Sequence, residues 1–182
     1  MTIARFDFQR ACVENALAED GIILNVGCNN DPGAIKFLDV RRVINCDLHA
    51  EIMGVPHVAD MLFDAARDRW PFEDGTVSLV VFGDILEHLS EDDIRAALTE
   101  ARRVSRGVCI TVPEDPRPEV LDHNGHSYKH PRGAVHQTIV TEELLRRALQ
   151  DAGWTVSDWQ VVEYDDGRFW GERTMGHFVE AR

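Results

Sequence analysis

The sequence predicts an α/β fold with a largely parallel sheet, contained in a single domain that spans residues 1–182. Short apolar runs rich in β-branched residues alternate with segments of helical periodicity, as expected for repeated β-α-β units. Most of these runs stop at a glycine or an aspartate, which is typical of buried parallel strands whose carboxyl ends meet at one edge. The length of 182 residues suits one domain.

The N-terminal part begins with a predicted helix at Phe6–Ala18, followed by three predicted strands. Apolar spacing in the helix predicts one inward face, formed by Phe8, Ala11, Cys12, Asn15 and Ala16. The strands are Ile22–Val26, which stops at Gly27; Val43–Cys46, which stops at Asp47; and His57–Ala59, which stops at Asp60.

The C-terminal part contains two helices with clear start signals. Ser90 and Thr141 are predicted N-caps, because each precedes acidic residues that favour the first turn of a helix. The predicted elements here are the strand Leu79–Phe82 ending at Gly83 and Asp84, the helix Ser90–Val104, the strand Val108–Val112 ending at Pro113, the helix Thr141–Ala152, and β segments at Thr155–Tyr164 and Gly176–Ala181.

Composition argues against several classes of protein. The formal net charge of −13 is the opposite of the basic face with which proteins neutralise DNA, long RNA or an anionic membrane. We find no apolar run long enough to span a bilayer, and Met1–Arg10 does not resemble a secretory signal. The four cysteines lack the spacing of a zinc or redox pair, so we expect a reducing, cytoplasmic environment.

Four strand ends carry the residues expected to do chemistry. Ligands of such sheets bind beyond the carboxyl ends of the strands, where the strand order reverses. The candidates there are the turn Gly27–Gly33 and the acids Asp47, Asp60 and Asp84. A glycine turn allows close backbone approach, and a carboxylate can accept hydrogen bonds from ribose hydroxyls.

Several segments carry distinct motifs that follow one another in a particular order along the chain. They are Ile23–Cys28, Val43–Asp47, Asp60 followed by Trp70–Gly75 and Leu79–Phe82, Ile85–Leu89, Glu100–Val104, Ile110–Pro113 and Leu144–Trp154. In this order and spacing they resemble the motifs of class I S-adenosylmethionine-dependent methyltransferases. The resemblance implies a three-layer Rossmann-like methyltransferase fold, with a mostly parallel seven-stranded sheet and an antiparallel C-terminal strand. It also implies S-adenosyl-L-methionine as the cofactor.

The resemblance assigns roles to individual positions. Asn25, Gly27 and Cys28 would face the methionine part of the cofactor, Asp47 would hold the ribose, and Asp60 with the Met61 amide would frame the adenine. The full set of expected cofactor-binding residues is Asn25, Gly27, Cys28, Asn29, Asp31, Asp47, Leu48, Asp60, Met61, Gly83 and Asp84.

Two positions depart from the family pattern. Asn25 stands where the first motif usually has an acid, and Asn29 stands where it has a second glycine. Asparagine tolerates positive φ, and Asp31 could supply a carboxylate nearby. Asn25 itself offers no charge to the cofactor's ammonium group. These changes favour, as an alternative, a non-catalytic methyltransferase-like protein that binds the cofactor or serves as an adaptor.

A histidine-rich segment follows the fifth predicted strand and contains His123, His126, His130 and His136. Three interpretations stay open: a substrate pocket in which one histidine is a general base, a divalent metal site, or a polar lid without chemistry. The candidate bases are His126, His136 and, one helical turn after Asp84, His88. No metal-binding spacing is recognisable, so no metal is expected.

The predicted activity is methyl transfer to an O or N atom of a small-molecule acceptor, such as a sugar, a lipid precursor or a secondary metabolite. We expect a monomer or homodimer with no nucleic-acid or membrane partner. A nicotinamide-dependent oxidoreductase is disfavoured, because the spacing of Gly27 and Gly33 does not match the dinucleotide-binding glycine pattern.

Overall fold

A computed structural model gives the fold over residues 5–18, 21–28, 42–52, 55–56, 58–114, 137–164 and 174–182. These residues contain three α-helices, α1 Arg5–Ala18, α2 Glu91–Val104 and α3 Glu142–Asp151, and a short 3₁₀ helix, Leu86–His88. The strands are β1 Ile23–Val26, β2 Val43–Asp47, β3 Glu51–Ile52, β4 Val55–Pro56, β5 Met61–Leu62, β6 Leu79–Gly83, β7 Val108–Glu114, β8 Val156–Tyr164 and β9 Thr174–Ala181.

Seven of these strands form one sheet in the order β5-β2-β1-β6-β7-β9-β8, and β3 and β4 form a separate two-stranded ribbon. Neighbouring strands from β5 to β7 pair in parallel, whereas β9 pairs antiparallel with both β7 and β8. The expected mostly parallel seven-stranded sheet with an antiparallel C-terminal strand is therefore confirmed.

The strand order reverses between β1 and β6. From β1 the chain first builds outward through β2 and β5, and it then returns to the other side of β1 as β6 and β7. Right-handed crossovers on the two sides leave a crevice at such a reversal, beyond the carboxyl ends of the two central strands. Val26 and Phe82 are paired at that point, so the crevice lies just past them.

Two separate apolar cores make the protein three-layered. Between the sheet and α1, the buried cluster is Phe8, Cys12, Val13, Ile23, Val43, Leu79, Val81, Cys109 and Phe178. The opposite face packs on α2 and α3 through Ile94, Leu98, Leu145 and Leu149. Alternate residues of β1 and β6 enter opposite cores, as the two-residue period of a strand requires.

The predicted inward face of α1 was only partly right. Phe8, Cys12 and the half-buried Ala16 do face the sheet, but Ala11 and Asn15 are exposed. Their places in the interface are taken by Val13 and by Gln9, whose amide bonds to the Thr111 hydroxyl. Sequence spacing missed Gln9 because its burial depends on a partner 102 residues away.

The predicted caps of α2 and α3 are confirmed. The Ser90 hydroxyl accepts a hydrogen bond from the Asp93 amide, and the Thr141 hydroxyl accepts one from the Leu144 amide. Each bond satisfies one of the amides that a helix start leaves without an intrahelical partner.

The third strand is not where we predicted it. Val58 and Ala59 are irregular, and the strand is β5, which begins after Asp60 instead of ending there. Asp60 makes the first contacts of this segment with β2. Its amide donates to the Asn45 carbonyl, and its carboxylate accepts from the Asn45 amide. Ladder pairing then starts at Met61 with Cys46.

The last parallel strand runs past Pro113, where we had placed its end. The Thr111 carbonyl accepts from the Asp84 amide, so odd-numbered residues of β7 direct their backbone groups toward β6. Since β6 has ended at Gly83, the missing amide hydrogen of Pro113 removes no ladder bond, and pairing with β9 continues to Glu114.

The Trp70–Gly75 segment is fixed by Arg103 on α2. The guanidinium donates to the carbonyls of Trp70 and Phe72 and to the carboxylates of Asp74 and Glu100. Hydrogen bonding to Arg103 lowers the pKa of Glu100. This part of the family-like pattern therefore serves packing beneath β6.

No helix within the described ranges is both long and apolar enough to cross a membrane.

We expect thermal stability to fall as the pH drops below the ordinary histidine pKa of about 6.5, because of His177 on β9. His177 is 1% exposed, and burial lowers its pKa. The charges of Glu114 and Glu142 raise the pKa and that of Arg146 lowers it, and the net change is a decrease. The unfolded chain therefore binds a proton at a pH where the folded protein stays neutral, so stability is lost from pH 6.5 down to the lowered pKa.

Thermal unfolding of wild type and His177→Gln, measured between pH 5 and 8, checks this. The difference in midpoint between the two proteins should be constant above pH 7 and should shrink toward pH 5. A difference that is independent of pH would contradict the prediction.

Candidate functional site

The carboxyl-end edge of the sheet brings together most of the strand-end residues that the sequence singled out. Gly27 and Cys28 follow β1, Asp47 ends β2, and Gly83 and Asp84 lie at the end of β6. β1 is hydrogen-bonded to both β2 and β6, so these residues lie together at the edge where sheets of this topology bind ligands.

The turn at Gly27 closes onto the neighbouring strand. The amides of Gly27 and Cys28 both donate to the Cys46 carbonyl, at 2.8 and 3.1 Å. Gly27 has φ +75°, and a Cβ there would lie 2.6 Å from Cδ1 of Ile85. Glycine is thus required by backbone conformation and by packing against Ile85. Since the two amides are engaged, the backbone groups that Gly27 and Cys28 can direct at a ligand are their carbonyl acceptors.

Asn25 is buried within β1, with 5% of its surface exposed. Its Nδ2 donates to Oδ1 of Asn45 at 3.0 Å, and the two residues are in register across β1 and β2. The sequence singled out Asn25 but missed Asn45, although a polar residue inside an otherwise apolar strand was a detectable signal.

Asp47 is half-buried at the end of β2. Its Oδ1 accepts from the His49 amide at 3.3 Å, and its Oδ2 lies 3.9 Å from the Cys28 thiol. Burial, with a further contribution from Asp47, raises the pKa of Cys28 to about 12. Cys28 is therefore a neutral thiol at physiological pH, and Asp47 provides the negative charge at this position.

The residues expected to frame the adenine lie at the open side of the site. Asp60 is exposed, and its Oδ2 accepts from the amide nitrogen of Asn45 at 2.8 Å and from the side chain of Asn45 at 3.4 Å. Met61 is half-buried in β5. Leu48 follows Asp47 in the chain, and Leu62 pairs with Asp47 between β2 and β5. The two leucines are 51% and 53% exposed. Such side chains offer apolar surface for a flat ring.

Gly83 and Asp84 mark the end of β6 beside the crevice. A Cβ at Gly83 would meet Nε2 of Gln9 at 2.8 Å, so glycine here lets the α1 side chain reach Thr111. Asp84 adopts φ +53°, a left-handed conformation that is unusual outside glycine, and its amide donates to the Thr111 carbonyl. Backbone strain of this kind is concentrated at functional sites.

His88, the one candidate base within the described residues, ends the 3₁₀ helix that follows Asp84. Its side chain is 20% exposed, and its Nε2 lies 3.9 Å from Oε1 of Glu87, which is 1% exposed. The Glu87 carbonyl accepts from the amides of Gln137 and Thr138, so this helix anchors the chain just after the histidine-rich segment. Glu87 was not singled out from the sequence. His126, His136, Asn29 and Asp31 lie outside the described residues.

The acceptor groups at this edge suit a ligand that carries hydroxyls and a cationic amine. Asp47 supplies a carboxylate, Asn25 and the Gly27 turn supply neutral oxygen acceptors, and Leu48 and Leu62 supply exposed apolar surface. A nucleoside linked to an amino acid has these requirements, so these acceptors and apolar side chains fit S-adenosylmethionine. Within the described ranges, no cluster of three or more His, Cys, Asp or Glu side chains could hold a metal ion.

Comparison with known proteins finds a similar family. Residues 24–110 match the family model of a methyltransferase domain. These residues run from β1 into β7 and include the strand ends described above. No curated protein matches the chain.

Solved structures share the fold at low sequence identity. An S-adenosylmethionine-dependent methyltransferase from Methanosarcina mazei is 16% identical with a TM-score of 0.69, and the alignment covers 100% of this chain and 98% of that one. The 1,6-didemethyltoxoflavin N1-methyltransferase of Burkholderia thailandensis, solved with 1,6-didemethyltoxoflavin and S-adenosylhomocysteine, is 16% identical with a TM-score of 0.64, covering 98% and 78%. The [4+2]-cyclase SpnF is 16% identical with a TM-score of 0.62, covering 96% and 80%.

Proposed function

We propose that this chain is a class I S-adenosylmethionine-dependent methyltransferase that transfers the methyl group to an oxygen or nitrogen atom of a small-molecule acceptor. The observation that carries the proposal is the match of residues 24–110 to a methyltransferase domain, in which Gly27, Asp47 and Asp84 lie at the carboxyl ends of neighbouring strands. The cofactor supplies an activated methyl group on a sulfonium.

Residues of this chain would hold the cofactor along the edge from β1 to β5. Asn25 and the carbonyls of the Gly27–Cys28 turn would accept from the ammonium, and Asp47 would accept from the ribose hydroxyls. The adenine would rest between Leu48 and the Asp60–Met61 backbone, and Gly83 and Asp84 would border the reacting end. Asn29 and Asp31 complete the proposed set from the turn after β1.

Two features support a small acceptor. The net charge of −13 disfavours polyanionic substrates, and residues 1–182, proposed as a single domain, have nearly the extent of the Methanosarcina protein. The Burkholderia methyltransferase was solved with bound 1,6-didemethyltoxoflavin. The chain would act as a monomer or homodimer, without a nucleic-acid or membrane partner.

The test is a screen of the purified protein with methyl-labelled S-adenosylmethionine against a metabolite library of sugars, lipid precursors and secondary metabolites. Transfer of label to an oxygen or nitrogen of a small molecule is expected. Label transferred only to protein or RNA would overturn the acceptor class while leaving methyl transfer intact.

One of three histidines would be the base that removes the acceptor proton. His88 ends the 3₁₀ helix that follows Asp84, and the amide of Gln137, the residue after His136, donates to the Glu87 carbonyl of that helix. Replacing the base by alanine should lower turnover about 10²- to 10⁴-fold, the usual contribution of general base catalysis. S-adenosylhomocysteine affinity should stay within about threefold of wild type. We expect this for one of His88→Ala, His126→Ala and His136→Ala. Unchanged turnover in all three would refute a histidine base.

The second candidate is a non-catalytic cofactor-binding or adaptor protein, which Asn25 favours by replacing the usual acid. SpnF, a [4+2]-cyclase of the same fold, illustrates that the architecture is not restricted to methyl transfer. Calorimetry with S-adenosylhomocysteine separates an adaptor that has lost the cofactor from an enzyme, because the enzyme should bind it. Binding without label transfer to any acceptor would favour the non-catalytic cofactor-binding protein.

A further inference from the structure

Three polar side chains form a hydrogen-bonded row across β1, β2 and the start of β5. Nδ2 of Asn25 donates to Oδ1 of Asn45 at 3.0 Å, and Nδ2 of Asn45 faces Oδ2 of Asp60 at 3.4 Å. The Asn45 backbone amide donates to the same Asp60 oxygen at 2.8 Å, which fixes the carboxylate against β2.

The carboxylate at the end of this row determines the orientation of both amides. An ionised carboxylate only accepts hydrogen bonds, so Asn45 must turn its NH₂ group toward Asp60. Its carbonyl oxygen then faces Asn25, and Asn25 must turn its own NH₂ group toward Asn45. Reversing either amide would place two acceptors or two donors against each other inside the sheet.

The carbonyl oxygen of Asn25 is thereby left for another partner. Within the described ranges, Oδ1 of Asn25 accepts no hydrogen bond, although the residue is 5% exposed and lies one residue before Val26 and the Gly27 turn. An isolated asparagine can present either its oxygen or its nitrogen to a ligand, but this one presents oxygen.

We propose that Asn45 and Asp60 are positioning residues that hold Asn25 as a hydrogen-bond acceptor for the ammonium group of the cofactor. This rests on the proposed function. It accounts for the replacement of the usual acid by Asn25, because an amide oxygen of fixed orientation supplies the acceptor that a carboxylate would supply without orientation. Asn45 is then required for recognition of the amino-acid part of the cofactor and is not required for recognition of its nucleoside.

Two ligands separate these contributions. S-adenosylhomocysteine carries the amino acid, whereas 5′-methylthioadenosine has the same nucleoside and a thioether sulfur but no amino acid. Asn45→Leu keeps similar volume and frees the Asn25 amide to rotate. Losing one hydrogen bond to a charged group should lower S-adenosylhomocysteine affinity about tenfold or more, with 5′-methylthioadenosine affinity unchanged within about twofold. Asn15→Leu, at an exposed position of α1, is the matched control and should change neither.

An exchange variant tests polarity without removing the row. Asn45→Asp combined with Asp60→Asn leaves an acceptor opposite Asn25 and a donor at position 60. The combined variant should therefore keep the preference of wild type for S-adenosylhomocysteine over 5′-methylthioadenosine within about threefold. It also serves if Asn45→Leu does not fold, which melting curves would reveal.

The outcomes separate this inference from the function on which it rests. Wild type that binds neither ligand would overturn both. Wild type that binds both, with Asn45→Leu weakening them equally or not at all, would overturn the positioning role alone. Loss of the preference in the exchange variant would also overturn it, because the polarity of Asn25 is retained there.

Discussion

Asp47→Asn is expected to weaken S-adenosylhomocysteine binding by about 10- to 100-fold, because it removes the charge that would accept from the ribose hydroxyls. A hydrogen bond to a charged group contributes about 1.5–3 kcal/mol, and each 1.4 kcal/mol is a factor of ten in affinity. The neighbouring Cys28 is a neutral thiol and cannot replace that charge. Isothermal titration calorimetry with S-adenosylhomocysteine measures the effect.

The matched control is Asp158→Asn, which removes an exposed carboxylate from β8, the edge strand at the far side of the sheet. It should bind S-adenosylhomocysteine as wild type does. Melting temperatures of the two variants show whether either change acts through folding. Binding by Asp47→Asn at wild-type affinity would remove the ribose assignment and weaken the whole arrangement proposed for the site.

The order of elements was predictable because each strand and helix carries its own local signal. Strand β6 is a continuous apolar run. Ser90 and Thr141 are N-caps that mark the starts of α2 and α3, and the structure confirms both. The short edge strand was not predictable in the same way. Met61 and Leu62 pair with β2 directly after the contact of Asp60 with Asn45, and that contact joins residues 15 positions apart.

The gathering of the strand-end residues at one edge of the sheet could also be predicted, since it follows from topology. Any chain that alternates strands and helices in this order leaves its crevice at the strand-order reversal, so Gly27, Asp47 and Asp84 had to meet there. Which hydrogen bonds those residues make could not be predicted. The engaged amides of Gly27 and Cys28, like the Asn25–Asn45 pair, depend on the register between β1 and β2, which no local pattern encodes.

The same distinction applies to the family-like pattern. Its residues appeared equivalent in sequence, but the structure divides them by physical role. Trp70 and Phe72 anchor packing through Arg103, whereas Asn25 bonds to Asn45 on β2 and Asp47 ends β2 at the carboxyl-end edge of the sheet. Substitutions in the first group should therefore act on the free energy of unfolding, and substitutions in the second group should act on ligand affinity.

Gly27→Ala should be destabilising for two separable reasons. The residue has φ +75°, where an alanine costs about 1–2 kcal/mol, and its new Cβ would lie 2.6 Å from Cδ1 and 3.1 Å from Cβ of Ile85. Together these should lower the free energy of unfolding by about 2–4 kcal/mol, within the usual range for strain and overpacking. For a chain of this size, that corresponds to a melting temperature lower by about 5–15 °C.

A double-mutant cycle with Ile85→Ala separates steric collision from backbone strain, because only the collision depends on the Ile85 side chain. The combined variant should be more stable than the sum of the two single changes predicts, and what remains is the cost of the left-handed backbone. Denaturant unfolding measures each free energy, with S-adenosylhomocysteine titrated into whichever variants stay folded. Strict additivity would mean that Ile85 moves aside at no cost, so that glycine is required at position 27 by the turn conformation alone. A stable Gly27→Ala would show that the turn tolerates a side chain, and the packing explanation for this glycine would then be wrong.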